Sequence, residues 1–406
     1  MPRDAVELIH AFNAGRDPER LALKYRAMAA DPFAFLRGSC HLFYQDYAAE
    51  SPDVVAPAAW ICGDLHLENF GSHLGEEQLG GDRLACFDLN DFGEALLAPV
   101  TWELSRFLVS LQVAAPGLDI KPLQAGALCR IFLDAYAAAL AGGSARGINL
   151  ENADGMVRDL LRKARGRDKA DFIDTRTRKR NGKLELRLDG KRALPIGDAE
   201  RERIEELIEQ HADGSLRGFK VLDSARRIAG TGSLGIERYV LLVRSESNDP
   251  DDSLGLLDLR HEPGSSLAPH IRQPQPAWPS EAARVVAAQQ RMQANPPALL
   301  KAVSQGGRSY VLKELLPSQD RLELADWDGK PGRLETVMRV MGVALAGAQL
   351  RSANLPGYAD RAELREFGAS LPALSARLLD HAETYARQVQ QDWMDFVEAH
   401  PADESG

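Results

Sequence analysis

An α+β fold in two lobes is what this sequence predicts, on three observations. Runs of β-branched, aromatic and aliphatic residues bounded by glycine and acidic clusters read as strands near 60–62, 84–87, 236–243, 254–260 and 309–315. Stretches with apolar residues three and four apart read as helices over much of 1–50, 102–143, 333–350 and 362–400. An acidic cluster at 63–91 and a glycine-rich one at 230–235 fall in different parts of that pattern. The expected division is a helical lobe over 1–215 that carries the acidic motifs and a basic hairpin region, a β-rich lobe over 216–320, and C-terminal helices over 321–406 that complete the helical lobe. At 406 residues the chain is long enough to bury a sizeable core in such an arrangement.

Taken in order, the N-terminal helical patterning is interrupted by Asp31-Pro32-Phe33-Ala34-Phe35-Leu36-Arg37-Gly38, which reads as an aromatic-rich turn. Arg37 there is expected to cover apolar surface with its stem, with a phosphate clamp as the alternative. Trp60-Ile61-Cys62 then delivers Gly63-Asp64-Leu65-His66-Leu67-Glu68-Asn69, and Leu84-Ala85-Cys86-Phe87 delivers Asp88-Leu89-Asn90-Asp91. A short strand holds the residue at its end rigidly, which suits a ligand or a catalytic acid. Gly-Asp and Asn-Asp clusters also turn chains and cap helices with no chemistry attached, and that is the competing reading.

The spacing of those acids matches the equipment for moving a phosphoryl group. In kinase-like phosphotransferases one Asp accepts the substrate hydroxyl's proton, an Asn five residues on holds magnesium, and an Asp after the next strand bridges metal and phosphates. Asp64, Asn69 and Asp88 fit those roles. Magnesium is a hard cation that takes oxygen ligands on short stems, which Asp and Asn supply. Asp91-Phe92-Gly93 spells the kinase metal-binding tripeptide, yet Asp88 directly follows the apolar strand, as the metal Asp does in aminoglycoside-phosphotransferase-like enzymes. Asp91 is then a second ligand or a cap. His66 is expected to be a structural member of the loop.

Trp102 opens a helical region that runs to Gly142-Gly143. Between 155 and 215, nine Arg and Lys residues from Arg162 to Arg180 crowd one stretch, and Asn181-Gly182 joins two alternating runs, a hairpin signal. With Phe172 the only aromatic among them, the basic stretch reads as solvated, mobile surface rather than a polyanion receptor.

The second informative feature is Gly230-Thr231-Gly232-Ser233-Leu234-Gly235. Glycines at that spacing let backbone N–H groups approach phosphate oxygens. A dinucleotide-binding loop of this pattern leads into a helix, whereas a kinase loop sits between two strands, and the run from Ile236 to Val243 reads as a strand. Gly230, Thr231, Gly232, Ser233 and Gly235 are the candidate nucleotide contacts; a glycine-rich hairpin without ligand is the alternative. On the next strand Arg260 stands where a kinase places the lysine that holds the nucleotide phosphates. The helix at about 279–293 offers Glu281, Gln289 and Gln290 as partners, and Lys313 is an outside candidate for the lysine.

The motifs at 31–38, 63–71, 87–92 and 230–235 together resemble the bacterial domain-of-unknown-function family 2252 over nearly the whole chain. Each piece alone is unspecific; the ordered set is specific. That family's motifs are similar to those of kinase-like phosphotransferases, but Asp64 precedes Gly230, the reverse of the kinase order. The resemblance therefore implies a circularly permuted kinase-like fold, which is tolerable because termini of compact domains often lie close together. The sequence departs from the family pattern at three places, with Arg260 for a lysine, Ala287 for a glutamate and Gln349 for a histidine. Arginine keeps the charge but favours a bidentate grip over a point-charge role.

Composition narrows the function classes. A formal charge of −10 disfavours nucleic acid and anionic membrane as partners. No apolar run approaches the length of a membrane span, and no signal segment opens the chain, so a cytoplasmic location is expected. The four cysteines, with no Cys-x-x-Cys pair, read as reduced packing residues. The leading expectation is ATP- and magnesium-dependent transfer to a hydroxyl of an unidentified small molecule or protein. The second is a nucleotide-binding, pseudokinase-like protein without transfer. The third is a metal-dependent phosphoesterase, suggested by Gly63-Asp64-x-His66 but lacking a downstream Gly-Asn-His-Asp or Gly-Asn-His-Glu element.

Overall fold

The computed structural model describes residues 3–50, 54–77, 83–212, 216, 218–230, 232, 234–245, 253–297, 299–315 and 321–401. The N-terminal quarter is helical: α1 (Ala5–Asn13), α2 (Pro18–Ala30), α3 (Pro32–Gly38) and α4 (Cys40–Glu50). Three aspartates start the first three of these. Asp4, Asp17 and Asp31 accept from the backbone N–H of Glu7, Arg20 and Ala34, and Pro18 and Pro32 occupy the first helical position. A cap acceptor followed by proline is a helix start, because proline's missing N–H is one the first turn leaves unpaired in any case. Residues 31–38 are thus a capped helix, not the turn the aromatics suggested.

Two small antiparallel sheets come next. β1 (Ala58–Ile61) pairs with β4 (Leu96–Pro99), and β3 (Arg83–Leu89) pairs with β2 (Phe70–Glu77) and β5 (Ile148–Asn149). Helix α5 (Val100–Ala114) ends before Pro116-Gly117, and α6 (Pro122–Gly142) restarts with its own proline, so the expected helical region at 102–143 is two helices. α6 is long and apolar enough to cross a membrane. Here it packs against α11 (Pro331–Ser352) and the 39-residue α12 (Arg361–Ala399). These helices and the small sheets share one continuous apolar core that includes Trp60, Phe107, Phe132, Met341 and Leu371.

The basic stretch is folded. α7 (Gly155–Arg165) buries Val157, Leu160, Leu161 and Ala164 and leaves its cations outward. α8 (Lys169–Arg176) leads into the hairpin of β6 (Thr177–Arg180) and β7 (Lys183–Leu186), which turns at Asn181 and Gly182 with φ of 50° and 77°. Two successive positive φ angles are what a two-residue hairpin turn of matching twist requires.

A six-stranded antiparallel sheet forms the rest, in the order β12 (Lys301–Gln305), β13 (Arg308–Glu314), β11 (Leu254–His261), β10 (Arg238–Arg244), β9 (Lys220–Arg227) and β8 (Ala193–Leu194). β10 is buried on both faces. Tyr239, Leu241 and Val243 pack with Ile204, Leu207 and Ile208 of α9 (Asp198–Gln210); Val240 and Leu242 pack with Ile173 of α8 and Leu186 of β7. The division placed after residue 215 therefore falls inside a packed unit that begins near Lys169. Helix α10 (Glu281–Met292) joins the two bodies, burying Ala282, Val285, Ala288 and Met292 in the large core beside Val311 of β13.

Candidate functional site

The acidic loop leaves β1 through Gly63, whose φ of 88° lies in the left-handed region. A Cβ there would stand 2.3 Å from the Glu94 carbonyl oxygen, so only glycine fits. The Gly63 carbonyl accepts from the Tyr44 hydroxyl, which fixes the next residue. Asp64 is gripped on one oxygen: Arg106 of α5, fully buried, donates Nε (3.1 Å) and Nη2 (2.8 Å) to Oδ1. Arg106 Nη2 also reaches the Leu36 carbonyl at 2.7 Å, which anchors α3 to the same point. The other oxygen, Oδ2, faces the glycine loop, 4.0 Å from where a Cβ of Gly232 would stand.

Asn69 is buried, and its amide is spent on backbone. Oδ1 accepts from the N–H of Asp91 (2.7 Å) and Asn90 (3.2 Å), and Nδ2 donates to the carbonyls of Asp64 (3.0 Å) and Asp91 (3.2 Å). It ties the two acidic loops together. Asp88 points away from them. Its Oδ1 accepts from Leu89 N–H, and its Oδ2 accepts from Ala294 N–H (3.0 Å) and Arg351 Nη2 (2.8 Å). That buried ion pair to α11 makes Asp88 a brace, and Asp88, expected at a metal, is not among the residues that line the cavity described next.

One cavity of about 410 Å³ is lined by both motif stretches, by Asp64, Asn69 and Asp91 of the one and Gly230 and Gly232 of the other, together with Arg260. That volume suits a small-molecule ligand. Asp91 is the acid that opens onto it where Asp88 does not, with its side chain 47% exposed. Arg260 Nη1 donates to both of its oxygens at 2.9 and 2.8 Å, and Gly93 N–H donates to Oδ1 at 3.0 Å. The surrounding protein works to raise this carboxyl, but Arg260 and the Gly93 N–H outweigh it and hold Asp91 below the usual carboxylate range. Arg260 Nε pairs with Glu262 at 2.7 Å, two residues on along its own segment, rather than with an acid of α10. α10 contributes two buried polar side chains: Gln289, which lines the cavity and donates to Gln293, and Arg284, which donates to the Gly93 and Ala95 carbonyls and so fixes the turn after Asp91.

The glycine cluster lies between β9 and β10, with Gly230 and Gly235 at φ of 72° and 92°. Thr231 and Ser233 lie outside the described residues. A Cβ on Gly232 would be 3.2 Å from the Arg37 carbonyl, so this loop rests on the acidic body. Arg16 and Arg20, before and within α2, donate to the Leu234 and Ile236 carbonyls and hold it from the other side.

The cavity's charge is opposite to that of the chain. Eight Arg and Lys side chains line it, among them Lys24, Arg238 and Lys313, against five carboxylates. Burial lowers Lys313 to about 8 and pushes Lys24 well below the usual lysine range. Arg37 is buried in this wall, stacked on Phe33 and paired with Glu68, with its Nε left without a partner. His66 accepts from Glu68 N–H through Nδ1 and caps the turn at 67–69, held neutral by burial and then by Arg37.

Sequence reasoning missed Arg106, Glu262, Glu94, Lys24 and Arg284. Arg106 carried a faint signal, a lone cation inside the apolar run from Val100 to Ala114. The others had none. Among the described residues no three His, Cys, Asp or Glu side chains gather into a metal-holding group. All four cysteines are buried free thiols.

Compared with known proteins, residues 16–399 match the family model described as an uncharacterised protein conserved in bacteria, DUF2252. No curated protein matches the chain. No solved structure matches it.

Proposed function

This chain belongs to the DUF2252 family, and from that premise, which names no activity, we propose that its cavity binds a nucleoside triphosphate with magnesium and transfers a phosphoryl group to a hydroxyl. The observation that carries the reading is the meeting of the acidic and glycine-rich stretches across one cation-lined cavity, although Asp64 and Gly230 stand far apart in the chain. The succession within the sheet supports it as well. A hairpin with a glycine loop, a third strand bearing a half-buried cation, a helix and two more strands run from β9 to β13, as in the nucleotide lobe of a protein kinase. In this reading the fold is kinase-like and circularly permuted, with the catalytic acids N-terminal to the glycine loop.

Each role falls to a named side chain. Arg106 pins one oxygen of Asp64 and leaves the other to take a proton from an acceptor hydroxyl. Asp91, with its carboxylate open to the cavity, is the residue to hold magnesium, and Asn69 sets its backbone beside Asp64. Magnesium keeps near-octahedral oxygen coordination with few protein ligands and neutralises phosphate charge when bound. Arg260 and Lys313 lie on adjacent strands, where they would meet phosphate oxygens. Glycines at 230, 232 and 235 let the loop lie close over those oxygens.

Asp64→Asn is expected to lower magnesium-dependent ATP turnover by about 10²-fold or more, the usual scale for losing a positioned base, while nucleotide affinity stays within roughly threefold. Calorimetric binding beside a turnover assay separates the two. Wild-type protein that binds no nucleotide would sink the reading. A nucleotide-binding role without transfer is the second reading, and one observation favours it: Arg260 already holds both oxygens of Asp91. In that case Asp64→Asn changes neither affinity nor a turnover that is absent in wild type. The phosphoesterase reading gains no ligand set from the described residues.

A further inference from the structure

We propose that the end of the cavity beside Asp64 is an oxyanion subsite, built by Lys24 and Arg16, that holds a carboxylate or phosphate group carried by the acceptor molecule. Its acceptor role rests on the phosphotransfer reading; its preference for an anion rests on the geometry alone.

Most cations of the cavity already have an acid. Arg37 and Arg321 pair with Glu68, Arg227 and Arg238 with Asp258, and Arg260 with Asp91 and Glu262. Lys24 and Arg16 form no ion pair with any described carboxylate. Lys24 is 1% exposed, yet its Nζ donates to a neutral amide oxygen, Asn13 Oδ1, at 2.9 Å. Asn13 is itself fixed by donating to the Ile9 carbonyl, so it aims that oxygen without adding charge. Arg16 lies over the Phe12 ring and donates to the Leu234 carbonyl at 3.4 Å, a long bond.

The nearest acids are otherwise engaged. Asp64 is held by Arg106, and Glu94 Oε2 accepts from Ser265 Oγ, Ser266 N–H and Ser266 Oγ. Lysine is almost never fully buried without a pair, because an uncompensated ammonium in a low-dielectric wall is costly. Burial is the larger burden on Lys24 and the neighbouring Arg16 the next, and an incoming anion would relieve both. The third cation without a described acid partner, Lys313, lines the cavity from β13, next to the strand of Arg260, and both are assigned to nucleotide phosphates. The two groups of unpaired charge thus have different neighbours in the same space, Lys24 lying near Arg16, Glu94 and Asp64 and Lys313 near Asp258, Arg260 and Asp91.

The test is calorimetric titration of inorganic phosphate, and separately of malonate, into the full chain saturated with magnesium and a non-hydrolysable ATP analogue, which occupies the proposed nucleotide site. One equivalent of at least one anion should bind, and Lys24→Met should weaken that binding at least tenfold while analogue affinity stays within threefold. Preference for phosphate or for malonate identifies a phosphorylated or a carboxylate acceptor. Binding of neither anion, or binding that Lys24→Met leaves unchanged, overturns the subsite. If the analogue itself does not bind, the same titration into the free chain still reads the dependence on Lys24, so failure of the nucleotide reading is seen separately. If Lys24→Met does not fold, Lys24→Gln, which removes the charge and can still donate to Asn13 Oδ1, is read in its place, with the same loss expected.

Discussion

Asp88 and Asp91 stand three positions apart after the same apolar strand, and local pattern cannot rank them. What separates them is a partner 263 residues away, since Arg351 of α11 claims Asp88, while Gly93 turns the chain so that Asp91 faces the cavity. Non-local pairing of this kind has no signature in a single sequence, which is why Glu262 in place of a helix acid was also invisible. A second buried acid supports a pH prediction. Glu103 of α5 accepts from Cys62 N–H (2.6 Å) and Gln349 Nε2 (3.0 Å), and burial raises it to about 7 despite those bonds. Its folded-state value lies above its ordinary value of 4.5, so the native state binds the extra proton between them. That contribution is fully present below about pH 4.5 and is lost as pH rises toward 7. Glu103→Gln, which has no proton to lose, should flatten that fall, and Gln349 can turn its amide to accept instead. Urea unfolding of both proteins at pH 5 and pH 8 measures it; equal pH dependence would refute the assignment.

At the scale of elements, helix periodicity and the Asn181-Gly182 turn were legible because both are local. The same holds for the strand after the glycine loop, whereas β9 before it was not read from the sequence. The capped start at Asp31-Pro32 was equally local, but the aromatics beside it drew attention away. The assignment of α8, the hairpin and α9 to the sheet was not legible, because it depends on which faces of β10 they cover. Nor was the close packing around α6. Gly342 of α11 has space for a Cβ only 2.6 Å from the Phe132 carbonyl oxygen, and Gly368 of α12 only 2.6 Å from Ala141 N. Helix propensity alone says that Gly→Ala gains about 1 kcal/mol. Overlap with backbone, which cannot swing aside, says the opposite and costs roughly 1–3 kcal/mol. Backbone contact decides the sign here, so Gly342→Ala and Gly368→Ala should each lower stability in thermal unfolding. A rise in melting temperature for either would show that the helices part easily at that notch.

Across the whole molecule, the convergence of the two motif stretches was expected from the resemblance and from no local pattern, and both stretches line one cavity. The convergence depends on packing rather than on which stretch comes first, and the ends of the described chain allow that to be tested. Arg3 pairs with Asp392 at 2.7 Å, and His10 Nε2 lies 3.0 Å from His400 Nε2, so the two ends meet on one side of α12. About six Gly and Ser residues, spanning up to roughly 20 Å, would add enough reach to join them. A new start at Asp168, between α7 and α8, keeps that residue's cap on Ala170 and Asp171 and breaks no strand. The resulting chain would place the sheet and its glycine loop before the acids. Closing one short loop and opening another changes the entropy of the unfolded chain little, since loop closure depends on length only logarithmically. The permuted protein should therefore unfold in a single transition near the wild-type midpoint and bind the ATP analogue within about threefold of the wild-type affinity. Saturating analogue at about one hundred times its Kd should stabilise both chains by about 2.7 kcal/mol. A permuted chain that folds cooperatively but no longer gains from a nucleotide that stabilises wild type would mean that the original connection through 167–168 shapes the cavity.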